Sequence, residues 1–311
     1  MAFSAETYAL LKKSIRDASA AAGLIDNTYP GIDLTEKFAD EIAAAPYNGD
    51  AWAWIKGRIT AGNFSGLHIS DYIPITFASP SSFALNAQIA GINTYKGYGD
   101  TAVGNHIDFI CRELWPTRKP VNPVNYNNGT KFGEAEATEY PWLASDLYLW
   151  LNSKSGTVAS TATVGGGEGT AVDYTEGGVY YYLPAALKSV IVEKRAYLPK
   201  RYSASGLLSD DNAGGWSDIG KLWLPSECEV YGAPCWGGKG GYATMGNNIQ
   251  YPIFAHSMNR VKNRSGSRGS WWVLSVYSGS TAYWCYVNGN GNATNSGASN
   301  TAVAAPVCFR I

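Results

Sequence analysis

Three histidines, His68, His106 and His256, are the chain's whole supply of imidazole, and they stand far apart. No HExxH or comparable ligand spacing joins them into a metal site. His106 and Asp108 sit two apart, so on a helix they would not share a face. No G-x-S-x-G elbow supports a Ser-His-Asp arrangement. Glu227 and Glu229 flank Cys228 in the segment Leu222-Trp-Leu-Pro-Ser-Glu-Cys-Glu-Val-Tyr-Gly. Paired carboxylates serve glycoside hydrolysis, but there they usually face each other across a cleft from separate elements. For this pair the expectation is a structural role, with one carboxylate bonded to backbone. Gly165-Gly-Gly-Glu-Gly could cradle a phosphate, yet no Lys-Ser/Thr pair follows it and no strand clearly precedes it. The five cysteines, Cys111, Cys228, Cys235, Cys285 and Cys308, are odd in number and irregular in spacing. That pattern fits neither a disulfide framework nor zinc knuckles and predicts free, mostly buried thiols. These residues predict no catalytic site, no metal and no cofactor.

The elements around them change character along the chain. Tyr8, Leu11 and Ile15 recur at helical spacing, Pro30-Gly31 interrupts, and Asp33 or Thr35 caps a second helix that ends near Pro46. A third short helix carries Trp52, Trp54, Ile55 and Ile59. Residues 1–66 therefore form an N-terminal helical region, used for docking, oligomerisation or packing. From Gly66 onward short aromatic runs alternate with Gly, Asn and Ser. Ser70–Phe77 reads as a strand, Gly104–Trp115 as a short helix, Pro141–Asn152 as a helix with a core aromatic stripe, and Leu183–Lys188 as helical. Residues 153–178 read as a flexible Gly/Ser-rich insertion.

Composition excludes several partners. Charged residues make up 16% of the 311 positions, against about a quarter in ordinary proteins. A net charge of −1 gives no electrostatic reason to bind nucleic acid or anionic lipid. No apolar run approaches the ~18 residues of a membrane span. The opening Met1–Lys13 lacks the pattern of a signal peptide, so arrival outside a cell is expected as part of a particle or by lysis.

The closing segment is the most informative. From Tyr277 to Ala305 there is no Lys, Arg, Asp, Glu, Gln, Met, Leu or Ile. Tyr283, Trp284, Tyr286 and Val287 make it too apolar for a plain linker. Tyr, Ser, Gly and Asn are instead the alphabet of antibody-like binding surfaces, in which rigid aromatics stand among adaptable small polar groups.

Trp271-Trp272 with a following Ser, then Val287-Asn-x-x-Gly-Asn-Ala, then Val303-x-x-Pro-Val-x-Phe-Arg-Ile, resembles the end of C-type-lectin-like variable proteins diversified by retroelements. Many of these come from bacteriophages, including tropism determinants at tail-fibre tips. Gly220–Gly232, Gln250–Phe254, Ala90–Tyr95 and Gly104–Ile110 extend the resemblance over roughly residues 67–311. It implies an α+β fold, a C-type-lectin-like ligand-binding domain over residues 67–311 with a variable segment at about 273–305. It also implies codons that never become Lys, Glu, Gln, Met or Trp, which makes Trp284 a fixed residue. The family commonly reads Trp-Leu-Arg-Ser-Pro near the tandem Trp, and Val273, Leu274 and Val276 depart from that.

On this reading Trp271, Trp272, Val287, Gly291, Ala293, Ala298, Pro306 and Phe309 are scaffold. The exposed, exchangeable ligand-binding set is Leu274, Val276, Tyr277, Ser280, Thr281, Tyr283, Cys285, Tyr286, Gly289, Asn290, Thr294, Asn295, Ser296, Gly297, Asn300, Ala302 and Ala304. The implied function is non-enzymatic binding of a protein or glycan receptor on a bacterial cell surface, by a virion tail protein in contact with other tail proteins. A bacterial adhesin of the same fold is the alternative, and a formylglycine-generating-type or glycan-cleaving enzyme the second. Tail-tip proteins are often trimers, but no sustained heptad marks the helical region. Neither Glu-Pro-Asn, Gln-Pro-Asp nor Trp-Asn-Asp occurs, so no calcium-mediated sugar site is expected.

Overall fold

A computed structural model of the chain describes residues 30–126, 140–161, 169–199, 214–237 and 249–311. The expected helix around Tyr8, Leu11 and Ile15 and the Gly165 loop fall outside the described residues.

Asp33 accepts from the Thr35 backbone N–H at 2.8 Å and caps the first described helix, Leu34–Lys37. Phe38 breaks the helical path before Ala39–Ala43, and the chain then passes Pro46. Asp50 caps the next helix, Ala51–Thr60, by accepting from Trp52 and Ala53 at 2.9 Å each. That helix turns Trp52, Trp54, Ile55 and Ile59 inward. Trp52 meets Phe109 and Phe309 edge-on at 6.1 and 5.8 Å, so residues 34–60 pack into the same core as the sheet.

The fold is α+β, with strands predominating. Strands β1 (Tyr72–Phe77), β2 (Phe83–Ile92) and β3 (Ile107–Leu114) are antiparallel neighbours. β3 also pairs antiparallel with the last strand, β13 (Pro306–Arg310), and meets β8 (Lys262–Arg264) in parallel at Glu113 and Asn263. β8 continues to β9 (Ser267–Gly269). Ile107 and Ile311 exchange both backbone hydrogen bonds at 3.0 Å, which fixes the end of the chain beside β3.

The helix expected over Gly104–Trp115 is instead β3. Ile107, Phe109, Ile110 and Cys111 are all buried because neighbours cover both faces of the strand. Such a strand carries a continuous apolar run with no period of two, and periodicity cannot separate it from a buried helix. The expected Gly/Ser-rich insertion contains a hairpin of β4 (Ser155–Ala159) and β5 (Gly169–Asp173). A second hairpin joins β6 (Arg195–Pro199) to β7 (Gly214–Asp218). The aromatic helix is Asp146–Leu151, capped by Ser145 and buried throughout. Leu183–Lys188 leads into the helix Ala185–Val190. Among the described residues no helix is long and apolar enough to cross a membrane.

Candidate functional site

The closing segment forms a separate antiparallel sheet of β10 (Trp271–Val276), β11 (Tyr283–Val287) and β12 (Ala293–Gly297). Three tryptophans frame it from beneath, each with its indole N–H bonded to backbone. Trp271 donates to Arg260 O at 2.9 Å, Trp272 to Lys119 O at 3.0 Å, and Trp284 to Val273 O at 2.8 Å. Val287, Ala298, Pro306 and Phe309 are buried with them, and Ala293 is half-buried. Gly291 turns between β11 and β12 at φ +84°, where a Cβ would press on Arg260 and Val261 at 3.3 Å.

The expected exchangeable set divides. Tyr283, Asn290 and Ala302 are exposed, while Tyr277, Ser280, Thr281, Tyr286, Gly289, Thr294, Asn295, Ser296, Gly297 and Asn300 are half-buried at the surface. Leu274, Val276, Cys285 and Ala304 are buried, contrary to expectation. Leu274 donates its backbone N–H to Pro225 O at 2.8 Å, and all of β10 is covered. Cys285 lies on the middle strand of the sheet. Ala304 bridges to Trp271, and its carbonyl accepts from Trp272 N–H at 3.0 Å. Local composition resembles surface at these four positions, but Leu274 is tied to Pro225, Ala304 to the tandem Trp, and Val276 and Cys285 sit within the paired strands β10 and β11.

Trp236, absent from the expected set, joins this surface. Its side chain is 43% exposed, beside Tyr283 at 42%. Trp236 meets Tyr277 edge-on at 6.1 Å, and Tyr277 stacks on Tyr283 at 6.2 Å. Glu227 holds the Trp236 turn by accepting backbone N–H groups of Cys235, Trp236 and Gly237 at 3.1, 3.0 and 2.7 Å. The turn also docks on the sheet through Ser278 N–H to Trp236 O at 3.1 Å and Trp236 Nε1 to Ala293 O at 3.3 Å. A large aromatic among Pro234, Cys235 and Gly237 was the available signal.

A second cluster is buried. Both Asp108 oxygens accept from Arg310, at 2.7 Å from Nε and 2.8 Å from Nη2. Lys194 Nζ bonds Glu229 and, at 2.9 Å, the Tyr251 hydroxyl, and lies 4.0 Å over the Trp223 ring. Glu229 also accepts from Tyr95 OH at 2.9 Å and closes a capping box with Ser226 at the helix Glu227–Tyr231. Because His106 precedes a strand and not a helix, it does reach Asp108, with 3.7 Å between Nε2 and Oδ2. Its Nε2 accepts from Tyr95 N–H at 3.2 Å and its Nδ1 faces Gly104 O at 2.9 Å, the pattern of a neutral ring. Burial lowers its pKa further, against the field of Asp108. The carboxylates of this cluster are occupied by Arg310, Lys194 and backbone, an arrangement that fixes structure. Glu227 and Glu229 thus each take backbone donors, as their sequence context suggests.

A family model described as a domain of unknown function, DUF6273, matches residues 118–311, more than half of the chain. The chain belongs to the DUF6273 family. No curated protein and no solved structure matches it. The DUF6273 region contains the whole three-stranded sheet, the Trp236 turn and the Lys194–Glu229 pair, whereas His106 and Asp108 come from outside it.

None of the five cysteines is in a disulfide, and four of them are buried. Burial pushes Cys228 up to about 12, and it raises Cys308 and Cys111 as well. Cys235 is exposed, though desolvation and the field of Glu227 raise its pKa too. In the native protein at pH 8 a disulfide reagent should therefore modify one thiol, more slowly than it would a free thiol. All five should react in denaturant. Rapid modification of two or more native thiols would contradict this burial pattern.

Proposed function

We propose that this DUF6273 protein is a non-enzymatic receptor-binding protein of a bacteriophage tail, with a C-type-lectin-like fold and a retroelement-diversified face on β10–β12. The observation that carries the reading is the division of the closing segment. Trp271, Trp272 and Trp284 are locked beneath by backbone hydrogen bonds, while Tyr277, Tyr283, Tyr286, Thr294, Asn295, Ser296 and Asn300 reach the surface. Exchange at surface positions that carry no core packing, such as Thr294, Asn295 and Ser296, is tolerated, usually within about 0.5 kcal/mol. Tyr277 and Tyr286 also lean on the core, Tyr286 edge-on to Trp272 at 5.7 Å. Trp236 serves as a fixed aromatic anchor beside the changing side chains, and large aromatics supply much of the energy at interfaces. The absence of charge from Tyr277 to Ala305 favours a protein or glycan receptor recognised by shape and hydrogen bonding. The pairing of the last strand with β3 supports the lectin-like fold. Leu274, Val276, Cys285 and Ala304 are left out of the contact set because they are buried.

Sequencing the 3′ end of the gene across related isolates tests this. Substitutions should concentrate at the surface positions, with Trp271, Trp284, Gly291 and Pro306 constant and the four buried positions limited to small or aliphatic residues. Variation spread evenly along the gene, or charged residues at Cys285, would sink the proposal.

A further inference from the structure

The structure has four buried cationic side chains among the described residues: Arg58, Lys194, Lys262 and Arg310. Three of them meet a carboxylate: Arg58 meets Glu41, Lys194 meets Glu229, and Arg310 meets Asp108. Lys262 does not. It is 2% exposed, donates to Cys111 O and lies 5.8 Å over the Trp271 ring. A buried ammonium without a counter-ion is costly, and proteins normally pair such a charge or neutralise it.

Lys262 lines a cavity of about 230 Å³ together with Pro30, Gln88, Arg112, Asn259 and Asn263. Arg112 adds a second cation with no ion pair among the described residues; its guanidinium donates to Pro30 O and sits 5.1 Å over the Tyr72 ring. Gln88 and Asn259 each donate one amide N–H to backbone, to Ser70 O at 3.4 Å and Ile253 O at 2.7 Å, and keep a second for an anion; Asn263 adds a third amide. Among the described residues no carboxylate lines the cavity. Glu113 contributes to the field at Lys262, but its oxygens are taken by Asn86, at 2.8 Å from the backbone N–H and 3.1 Å from Nδ2. At roughly 30 Å³ per water, the cavity holds an oxyanion with several waters around it.

We propose that this cavity, on the β2–β3–β8 side of the main sheet and apart from the β10–β12 face, binds a small inorganic oxyanion of the phosphate or sulfate type. The anion is the missing partner of Lys262 and is clamped by the Arg112 guanidinium, whose planar donors match oxyanion geometry. Its binding ties β8 to β3 at the point where the sheet has a single parallel pair.

The test is thermal unfolding of the full chain in sodium phosphate and sodium sulfate against sodium chloride at matched ionic strength and pH 7. A specific ligand raises Tm along a saturating curve, whereas general exclusion of sulfate or phosphate from the protein surface raises it without saturation. The wild type should give the saturating curve. Arg112→Gln, at a half-buried position, should weaken the apparent dissociation constant about tenfold or more, the loss of one charge-assisted hydrogen bond. Lys262→Met should abolish the saturating part and should change Tm in chloride little, because removing a buried charge without a carboxylate partner offsets the lost bond to Cys111 O. No saturating response in the wild type, or an undiminished response in Arg112→Gln, would overturn the site even if Lys262→Met failed to fold.

Discussion

Asp108→Ala should destabilise the protein by about 3–5 kcal/mol, the range for breaking a buried ion pair from one side. Asp108 is wholly buried, and both its oxygens are engaged by Arg310, itself 3% exposed. Removing the carboxylate leaves a guanidinium with no escape to water, on a strand that closes the main sheet against β3. It also deprives Lys194 of part of its compensating field. The denaturant midpoint at neutral pH measures the loss, and a change below about 1 kcal/mol would refute this account. The pH dependence has a definite sign. Burial alone would raise the Asp108 pKa, but Arg310 outweighs it and holds the carboxyl below the usual carboxylate range. This contribution is therefore present above the unfolded value of about 3.9 and is lost as pH falls through the lower native value. His106 acts earlier. Burial depresses its pKa, so the unfolded chain takes up its proton first and stability declines as pH falls below about 6.5. Asp108→Ala should remove its own share of the acid-most decline and deepen the His106 part, because the Asp108 field that holds the His106 pKa up is gone.

The sequence discloses what is local and hides what is assembled. Asp33 is legible as a cap and does cap Leu34–Lys37, whereas Asp50 and Ser145 set helix starts that apolar spacing alone does not fix, the aromatic helix beginning at Asp146 and not at Pro141. The scaffold tryptophans are legible through the resemblance, which places Trp271-Trp272 and fixes Trp284 by codon exclusion; composition alone does not separate them from the exposed Tyr283. The Asp108–Arg310 pair spans 202 positions, and Tyr95 meets Glu229 across 134, so no spacing rule could join them. His106 and Asp108 were dissociated by a helical reading of a doubly covered strand. The mistake at Leu274, Val276, Cys285 and Ala304 has a similar origin. A three-stranded sheet shows one face to its core, but β10 is covered along its whole length, so alternation does not report exposure at Leu274 and Val276; Cys285 is buried on the middle strand and Ala304 by its bridge to Trp271. Trp236 was missed because its neighbourhood is created by Glu227, whose carboxylate gathers three consecutive N–H groups from nearby in sequence but outside the closing segment.

Trp284→Ala should cost about 3–5 kcal/mol, the range for truncating a buried aromatic to Ala. Its neighbour exchange Tyr283→Ser should cost no more than about 0.5 kcal/mol, as at an ordinary surface position. The two side chains are adjacent on one strand and differ in everything else. Trp284 is fully buried, and its indole N–H meets Val273 O at 2.8 Å, so truncation opens a cavity and strands a carbonyl between β10 and β11. Tyr283 is 42% exposed and stacks only loosely on Tyr277 at 6.2 Å. Thermal unfolding of the two variants reads the contrast directly. Equal losses would mean that the face cannot vary without loosening its frame, and a diversified surface could not be maintained there. A large loss confined to Trp284 separates the work of holding the sheet from the work of contacting a receptor, within two consecutive residues.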